Sequence, residues 1–325
     1  MTRLFRSLIA LVVAACALAA AAPSNAQTPA WPSRPVRFII PLGAGSGVDI
    51  TARMFADRLS QKWGQPVVVE NKPGGDAFIA INYVLGAHDD HVLLFAPAST
   101  FTAHAYLHDK LTYNPADLIP IARVTNTLIG LGVPTALGVS SVKGLAAKIQ
   151  VAPGKLNYAS VTGANDLLFA GFLKTEKLDM ARVPYKDTVQ AINDLAENRI
   201  QSFVAAYAIL RPQVQAGKVK VIALTNRQPA KALPDIPTAQ ASGYPSLNFD
   251  GLVGLLGTKD VPPAVRNRIA ADIKTVASDP AIAEKLSASG QVVSPGTAAE
   301  FSAEIEDQRA TVAKIGASLG IKPAM

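Results

Sequence analysis

The segment VRFIIPLGAGSGVDITARMFADRLSQKW, residues 36–63, decides the fold class. It opens with an apolar run typical of a buried strand and passes through three glycines. Helical spacing follows over about residues 49–62, with Asp49 near the predicted N-cap and Ile50 on the predicted buried face. Glycine lets a ligand approach the backbone, and a first helical turn exposes unpaired N–H groups. The segment therefore predicts a strand, a turn suited to an anion, and a helix.

The order of strand, turn and helix recurs along the chain, which predicts an α/β fold built on parallel sheets covered by helices. PVVVEN leads through KPGGD into a helical run, and HVLLFA leads into PAST. An apolar stretch punctuated by Gly and Pro spans residues 120–145, and KLNYASV, MARVPYK, IQSFVAA and VKVIALT then predict a second α/β block. GLVGLLGT predicts one more buried strand, with only helices after it.

Length and charge narrow the class of protein. A chain of 325 residues that is 49% hydrophobic can bury the cores of about two domains. The net charge of +7 arises from dispersed basic residues without a Lys/Arg run, which predicts solubility and weak attraction for anions. Nucleic acid is therefore not an expected partner.

The first 26 residues have the anatomy of a secretory signal peptide. Two arginines precede an apolar run of about 15 residues, shorter than the ~20 that span a bilayer, and SNA before Gln27 fits a cleavage site. Cleavage after Ala26 would give a periplasmic protein without Cys16, the one cysteine of the chain. VAAC around Cys16 also fits a lipidated N-terminus, and this alternative stays open.

A dinucleotide-binding turn is the main competing interpretation of the first glycine loop. The Gly-x-Gly-x-x-Gly fingerprint is met by Gly43 and Gly45, but Val48 stands where the third glycine should be. The fingerprint also needs an acidic residue ~20 residues after the first glycine, but Glu70 at the end of the second predicted strand lies farther from Gly43. The Walker motif of nucleotide-binding loops is absent too, because no Gly-Lys-Ser/Thr follows the loop. A small acid is the better ligand, and no cofactor is predicted.

Residue sets for catalysis or metal binding are sparse. AHDDHV, which holds His88 and His91, is predicted to be an exposed turn rather than a metal site. His104 and His108 are four residues apart and would share a helix face, but no His-Glu-x-x-His accompanies them. Neither a Gly-x-Ser-x-Gly elbow nor a cysteine nucleophile is available. The sequence predicts no catalytic residue and no metal site.

Longer stretches carry a family resemblance over about residues 31–320. They include WPSRPVRFIIP, DITARMFADRLSQKWGQPVVVENKPGG, NPADLIPIARV and QAGKVKVIALTNRQPAKALPDIPTAQASG. The chain resembles the solute-binding proteins of tripartite tricarboxylate transporters, also called the Bordetella-uptake-gene type. The resemblance implies a two-lobed periplasmic-binding-protein fold of type II, with residues 27–127 plus 249–325 in lobe 1 and 128–248 in lobe 2.

The same resemblance implies a function. A member of this family captures a small organic acid by closure of its lobes and delivers it to the membrane permease subunits of the transporter. The chain is expected to act as a monomer and not as an enzyme. Two alternatives stay open: a periplasmic sensor that presents a carboxylate to a signalling partner, and an exported α/β enzyme.

The ligand-binding residues that the resemblance implies follow the predicted strands. They are Leu42, Gly43, Gly45, Ser46, Gly47, Asp49, Gly74, Gly75, Asp76, Ser99, Thr100, Ser160, Thr162, Gly163, Ala164, Asn165, Tyr185, Thr188, Ala205 and Tyr207.

Departures from the family pattern suggest the class of acid. Leu42 stands where an aromatic is common, and Ala205 stands where an acidic residue is common. Leu167 and Leu168 occupy the place of an expected Ser-x-His, and Tyr207 lies near Ala205 in the chain. An acidic side chain at the position of Ala205 would suit the amino group or a hydroxyl of a ligand. The absence of that side chain therefore favours an apolar or aromatic mono- or dicarboxylate over glutamate or citrate.

Overall fold

A computed structural model describes residues 31–161, 163–186 and 188–324. The elements below belong to one compact unit that begins at Arg34. The predicted signal peptide with its cleavage site after Ala26, the alternative at Cys16 and the predicted binding residue Thr162 lie outside the described residues. No described helix is both long and apolar enough to cross a membrane.

The described residues form eleven strands. In chain order they are β1 (Val36–Ile40), β2 (Val67–Asn71), β3 (Val92–Pro97), β4 (Ile119–Thr127), β5 (Ile129–Pro134), β6 (Asn157–Val161), β7 (Ala181–Tyr185), β8 (Phe203–Ala206), β9 (Val219–Leu224), β10 (Gly251–Gly257) and β11 (Gln291–Gly296).

Helices separate most of these strands. They are α1 (Gly47–Trp63), α2 (Phe78–Ala87), α3 (Ala98–Thr102), α4 (His104–Leu107), α5 (Val142–Val151), α6 (Ala164–Thr175), α7 (Thr188–Ala196), α8 (Tyr207–Gln215), α9 (Pro263–Ala277), α10 (Pro280–Ala288) and α11 (Ala298–Leu319). Short 3-10 turns lie at Gly75–Ala77, Pro115–Asp117, Thr135–Leu137 and Pro245–Leu247.

A six-stranded sheet runs in the order β11-β4-β10-β3-β1-β2. The strands β1, β2 and β3 are parallel, as the strand-helix alternation predicts, whereas β10 is antiparallel to both β3 and β4. Apolar side chains on both faces, such as Phe38, Ile39 and Leu94, are fully buried. Because helices cover both faces, these strands are continuous apolar runs rather than alternating ones.

The other strands form a second group. The strand β5 pairs antiparallel with β8 and β9, and β6 pairs parallel with β7. A parallel bridge between Tyr158 and Ser202 joins these two small sheets. Helices α5 and α6 pack on this group through buried residues that include Leu145, Phe169 and Phe172.

The chain passes from the large sheet to the second group between β4 and β5, and returns between β9 and β10. The C-terminal helix α11 then packs against both groups. Its Phe301 and Ile305 join the core beside β3, while Val312 joins the core that holds Phe172. The precise lobe limits at residues 127 and 248 stay a prediction.

Four local predictions differ from the structure. The segment after β10 is not wholly helical, because β11 forms an edge strand of the large sheet. Its Ser-Pro-Gly end is typical of a loop, so the sequence did not predict a strand there. Helix α1 begins at Gly47 rather than near Asp49, because the Ser46 hydroxyl accepts the Asp49 N–H and caps it. Ile50, placed on the predicted buried face, is exposed, and His91, predicted in an exposed turn, is buried.

Candidate functional site

A cavity of about 270 Å³ lies where the ends of strands from both sheet groups meet. The large-sheet side contributes Leu42, Asp76, Pro97, Ser99, Thr100 and Leu107. The side of the second group contributes Ala159, Val161, Gly163, Ala164, Asn165, Asp166, Phe169, Thr188, Phe203, Val204, Ala205, Ala206 and Ile209. The carboxyl edge of parallel strands is where open α/β sheets bind ligands.

The structure brings nine of the predicted binding residues together in this wall. They are Leu42, Asp76, Ser99, Thr100, Gly163, Ala164, Asn165, Thr188 and Ala205. Another ten are not among the lining residues, although some are chain neighbours of them: Gly43, Gly45, Ser46, Gly47, Asp49, Gly74, Gly75, Ser160, Tyr185 and Tyr207.

The first glycine loop is closed on itself by Asp49. The Asp49 carboxylate accepts the Gly45 N–H at 2.9 Å, the Asn71 amide at 2.9 Å and the Arg53 guanidinium at 3.1 Å. Burial raises the pKa of Asp49, but these hydrogen bonds outweigh it and hold the pKa below its usual value. Gly47 abuts Gln291, since an added Cβ would lie 2.7 Å from its Nε2. Of this loop, Leu42 reaches the cavity.

Two other predicted residues, Ser160 and Tyr185, are not in the lining of the cavity. Ser160 is buried within β6. The Tyr185 hydroxyl donates to the Asp194 carboxylate at 2.8 Å, and burial together with this bond raises the pKa of Tyr185 to about 12. Both residues follow the sequence pattern of a strand end, but neither belongs to the lining of the cavity.

The large-sheet wall presents hydroxyl groups and one carboxylate. Ser99 and Thr100 belong to α3, which follows directly from β3. Asp76 has φ 48° and ψ 46°, and Ala77 has φ 69°, so two successive non-glycine residues adopt left-handed conformations. Such conformations are costly for residues with a Cβ and concentrate at binding sites. The turn thereby fixes the Asp76 carboxylate at the rim of the cavity.

Two histidines lie against this carboxylate. His108 Nε2 is 2.8 Å from Asp76 Oδ2, and His104 Nε2 is 3.8 Å from the same oxygen. His104 is fully buried, with its ring stacked on Phe78 and its Nδ1 2.9 Å from the Tyr113 hydroxyl. Burial lowers the pKa of His104 and raises that of Tyr113. The histidine spacing was visible in the sequence, but nothing in it indicated that Asp76 joins them.

The opposite wall is the N-terminal turn of α6. Gly163, Ala164 and Asn165 lie at positions where helical N–H groups have no intrahelical acceptor. Asp166, only 8% exposed, accepts from Arg182 through Oδ2 at 2.6 Å. Its buried Oδ1 has no hydrogen-bond partner in the part of the chain that the structure describes. The wall therefore combines helix-end donors with one negative charge.

Sequence reasoning missed the apolar part of the lining. Ala159 and Val161 come from β6, Phe203 and Val204 from β8, and Phe169 from α6. Their pattern is that of ordinary core residues, because a strand end that faces a cavity is as apolar as one that faces a neighbouring helix. Asp166 was missed as well, although it directly follows the predicted Asn165.

The fold and this cavity define a two-lobed solute-binding protein. The family model of the tripartite tricarboxylate transporter family receptor matches residues 51–321. The chain belongs to this family of receptors, as the sequence resemblance predicted, and its two-lobed α/β fold is confirmed by the solved structures it matches.

Known proteins match nearly the whole chain. Protein BugT of Bordetella pertussis is 26% identical over 98% of this chain and 99% of its own length. A solved structure of a periplasmic transporter is 30% identical, with a TM-score of 0.78 over 90% of this chain and 99% of that one. The R. palustris protein Rpa4515, solved with adipate, is 23% identical, with a TM-score of 0.79 over 90% and 99% of the two chains.

Proposed function

We propose that this chain captures a small carboxylate in the described cavity and delivers it to the membrane permease subunits of a tripartite transporter. It would work in the periplasm as a monomer, after removal of residues 1–26. The observation that carries the proposal is the pairing of two walls, one with the start of α6 and the other with the hydroxyls of Ser99 and Thr100.

These groups suit a carboxylate. The first turn of α6 offers backbone N–H donors and the positive end of a helix dipole. Hydroxyls of Ser99, Thr100 and Thr188 can donate to carboxylate oxygens, and hydrogen bonds to a charged acceptor are the stronger kind. Neutral donors of this type hold an acid without a buried ion pair, which would carry a large desolvation penalty.

The remaining lining favours an apolar body between or beside the acid groups. Leu42, Phe169, Phe203, Ala205 and Ile209 present hydrocarbon surface to the cavity. We infer an apolar or aromatic mono- or dicarboxylate rather than citrate or glutamate. Adipate, the ligand of the R. palustris relative, is a suitable first probe because a hydrocarbon chain separates its two carboxylates.

Lobe closure would couple binding to delivery. In this proposal residues 27–127 plus 249–325 form one lobe and residues 128–248 the other, so the two walls of the cavity belong to different lobes. A solute that contacts both walls favours the closed arrangement by the contacts it gains there. The permease subunits would then recognise the closed, loaded receptor.

A thermal-shift screen tests the proposal. Adipate and benzoate at 100 times Kd should stabilise the protein by about 2.7 kcal/mol, with smaller shifts from citrate and glutamate at equal concentration. The double variant Ser99→Ala/Thr100→Ala should weaken binding by roughly 10- to 100-fold, the loss of one or two charge-assisted hydrogen bonds.

Thr275 is exposed and its hydroxyl donates to the Ala271 carbonyl of its own helix, so Thr275→Ala serves as the control and should bind like the unmodified chain. Tight binding of glutamate without any response to apolar or aromatic acids would contradict the assigned ligand class. Unchanged binding in the double variant would place the solute elsewhere.

A further inference from the structure

A carboxylate and two imidazoles converge at the rim of the cavity. They belong to Asp76, His104 and His108, and their nearest ligand-type atoms all lie within 4.8 Å of one another. Asp76 Oδ2 is 2.8 Å from His108 Nε2 and 3.8 Å from His104 Nε2. Oxygen and imidazole nitrogen are the donor atoms that first-row transition metals prefer in proteins.

The geometry of His104 points to a missing partner. Its ring is fully buried, and its Nε2 has no hydrogen-bond partner among the described residues. The Tyr113 hydroxyl engages Nδ1 at 2.9 Å, and Phe78 stacks on the ring at 4.5 Å between centroids. In the tautomer that carries its proton on Nδ1, the ring donates to the Tyr113 hydroxyl and the lone pair of Nε2 faces the Asp76 carboxylate. In that tautomer a cation or a donor is needed between the buried Nε2 and the partly exposed Asp76 carboxylate.

We propose that Asp76, His104 and His108 bind a divalent transition metal of the Zn²⁺, Co²⁺ or Ni²⁺ class. Metal–ligand bonds of about 2.0–2.2 Å in a tetrahedral arrangement place ligand atoms about 3.4 Å apart, close to the 3.8 Å between Asp76 and His104. Coordination replaces the direct contact between His108 and Asp76. The Tyr113 hydroxyl supplies the outer partner that metal-bound histidines commonly have.

The surroundings hold the ligands in place before any metal arrives. Phe78 stacks on His104 and meets the edge of His108 at 4.9 Å, which restricts both rings. The left-handed turn at Asp76 and Ala77 orients the carboxylate toward them. Side chains that are already held in place lose little conformational freedom when a metal binds. The strained backbone at Asp76 and Ala77 is typical of a turn that is kept for binding.

A second cluster in the same lobe shows the contrast. Asp89, Asp90 and His91 also offer three ligand atoms within 4.8 Å of one another. Arg34, however, donates twice to Asp89 at 2.6 and 3.0 Å and lies 3.7 Å from Asp90. Since a guanidinium already compensates these carboxylates, this cluster has no comparable demand for a cation. It provides an internal control for the experiment.

The proposed site has an open side. Asp76 lines the cavity, so a metal with three protein ligands has its fourth position on the cavity side. A carboxylate oxygen of the solute fits that position, which makes the metal part of solute recognition. This last step rests on the proposed function, whereas metal binding by the three side chains does not.

Titration with Co²⁺, followed by its visible ligand-field absorption, tests the metal site on the full chain without a histidine tag. We expect saturation at one Co²⁺ per chain and displacement by Zn²⁺. His104→Gln and His108→Gln should each weaken Co²⁺ binding by at least about 100-fold. Loss of a residue that only supports a metal ligand already costs up to about 100-fold in affinity, and these two histidines are direct ligands in the proposal. His88→Gln, at a residue whose side chain is 73% exposed, and Asp89→Asn should bind Co²⁺ like the unmodified chain.

His104 is fully buried, so thermal melting of each variant is recorded alongside. Asp76→Asn changes a partly exposed side chain and keeps its shape, which tests the site without disturbing the core. Lack of saturable Co²⁺ binding, or equal binding in folded Asp76→Asn and His108→Gln, would overturn the proposal.

Adding adipate to the Co²⁺-loaded protein separates the two proposals. A change in the Co²⁺ spectrum supports the open position, and an unchanged spectrum while adipate binds overturns that step alone. A third result is that the protein binds Co²⁺ saturably and yet binds no carboxylate, either in the presence of metal or in the presence of a chelator. That result refutes the proposed function and supports the metal site.

Discussion

Two loops of this molecule share a sequence pattern and differ in use. The loop after β1 leads through glycines into α1, and the loop after β6 leads through Gly163 into α6. Each helix carries an aspartate as its third residue, Asp49 in α1 and Asp166 in α6. From local sequence alone, both loops predict a site for an anion.

The environments of the two aspartates separate the loops. Asp49 is saturated by Gly45, Arg53 and Asn71, and this closes the first loop on itself. Asp166 has Arg182 on one oxygen, while its other oxygen is buried without a partner among the described residues. The first aspartate therefore stabilises a turn, and the second leaves the start of α6 facing the cavity.

The largest expected effect concerns the stability of the closed loop. Asp49→Ala should lower the free energy of unfolding by about 2–4 kcal/mol, because the Asn71 amide and the Gly45 N–H lose their acceptor. Urea denaturation measures the change. Solute affinity should stay within about threefold, since Asp49 does not line the cavity.

Asp57→Ala is the matched control in the same helix. The Asp57 side chain is exposed, and its removal should change stability by less than about 0.5 kcal/mol. If Asp49→Ala abolished solute binding while stability held, the first loop would be a binding element after all. The comparison between the loops would then fail.

A smaller effect is expected from Asp166. Asp166→Asn removes a negative charge from the cavity wall, so adipate or benzoate should bind about fivefold more tightly, about 1 kcal/mol. Isothermal titration calorimetry measures the change. Asp179→Asn, at an exposed position of the same lobe, should leave the affinity unaltered. Weaker binding by Asp166→Asn would contradict the repulsion between Asp166 and the solute carboxylate.

The smallest effect is a dependence of stability on pH. The pKa of Asp49 is below its usual value in the folded protein, so its contribution is fully present above the unfolded pKa near 3.8. That contribution is lost as the pH falls through the folded value. Glu70 and Asp89 have lowered pKa values too and act in the same direction.

Unfolding curves between about pH 5 and pH 2.5 test this slope. The difference in stability between the unmodified chain and Asp49→Asn should shrink as the pH falls, because the charge that distinguishes them is protonated. A constant difference over this range would show that the hydrogen bonds, and not the charge, account for the role of Asp49.

The sequence predicted the repeated strand-helix units and most of their turns, because apolar periodicity and Gly-rich helix starts are local signals. It also carried the family resemblance, which the match over residues 51–321 confirms. It failed at β11, whose Ser-Pro-Gly ending resembles a loop, and it placed the start of α1 two residues late, since Ser46 is the cap and Asp49 lies in the first turn.

Only the tertiary structure decided which helix starts reach the cavity. Gly43 to Asp49 and Gly163 to Asp166 have similar local signals, but Asn71, from the next strand, completes the closure of the first loop. Likewise, Asp76 meets His104 and His108 through chain segments about thirty residues apart. Such contacts depend on how strands and helices pack, and periodicity within one segment carries no information about the partner that another segment brings.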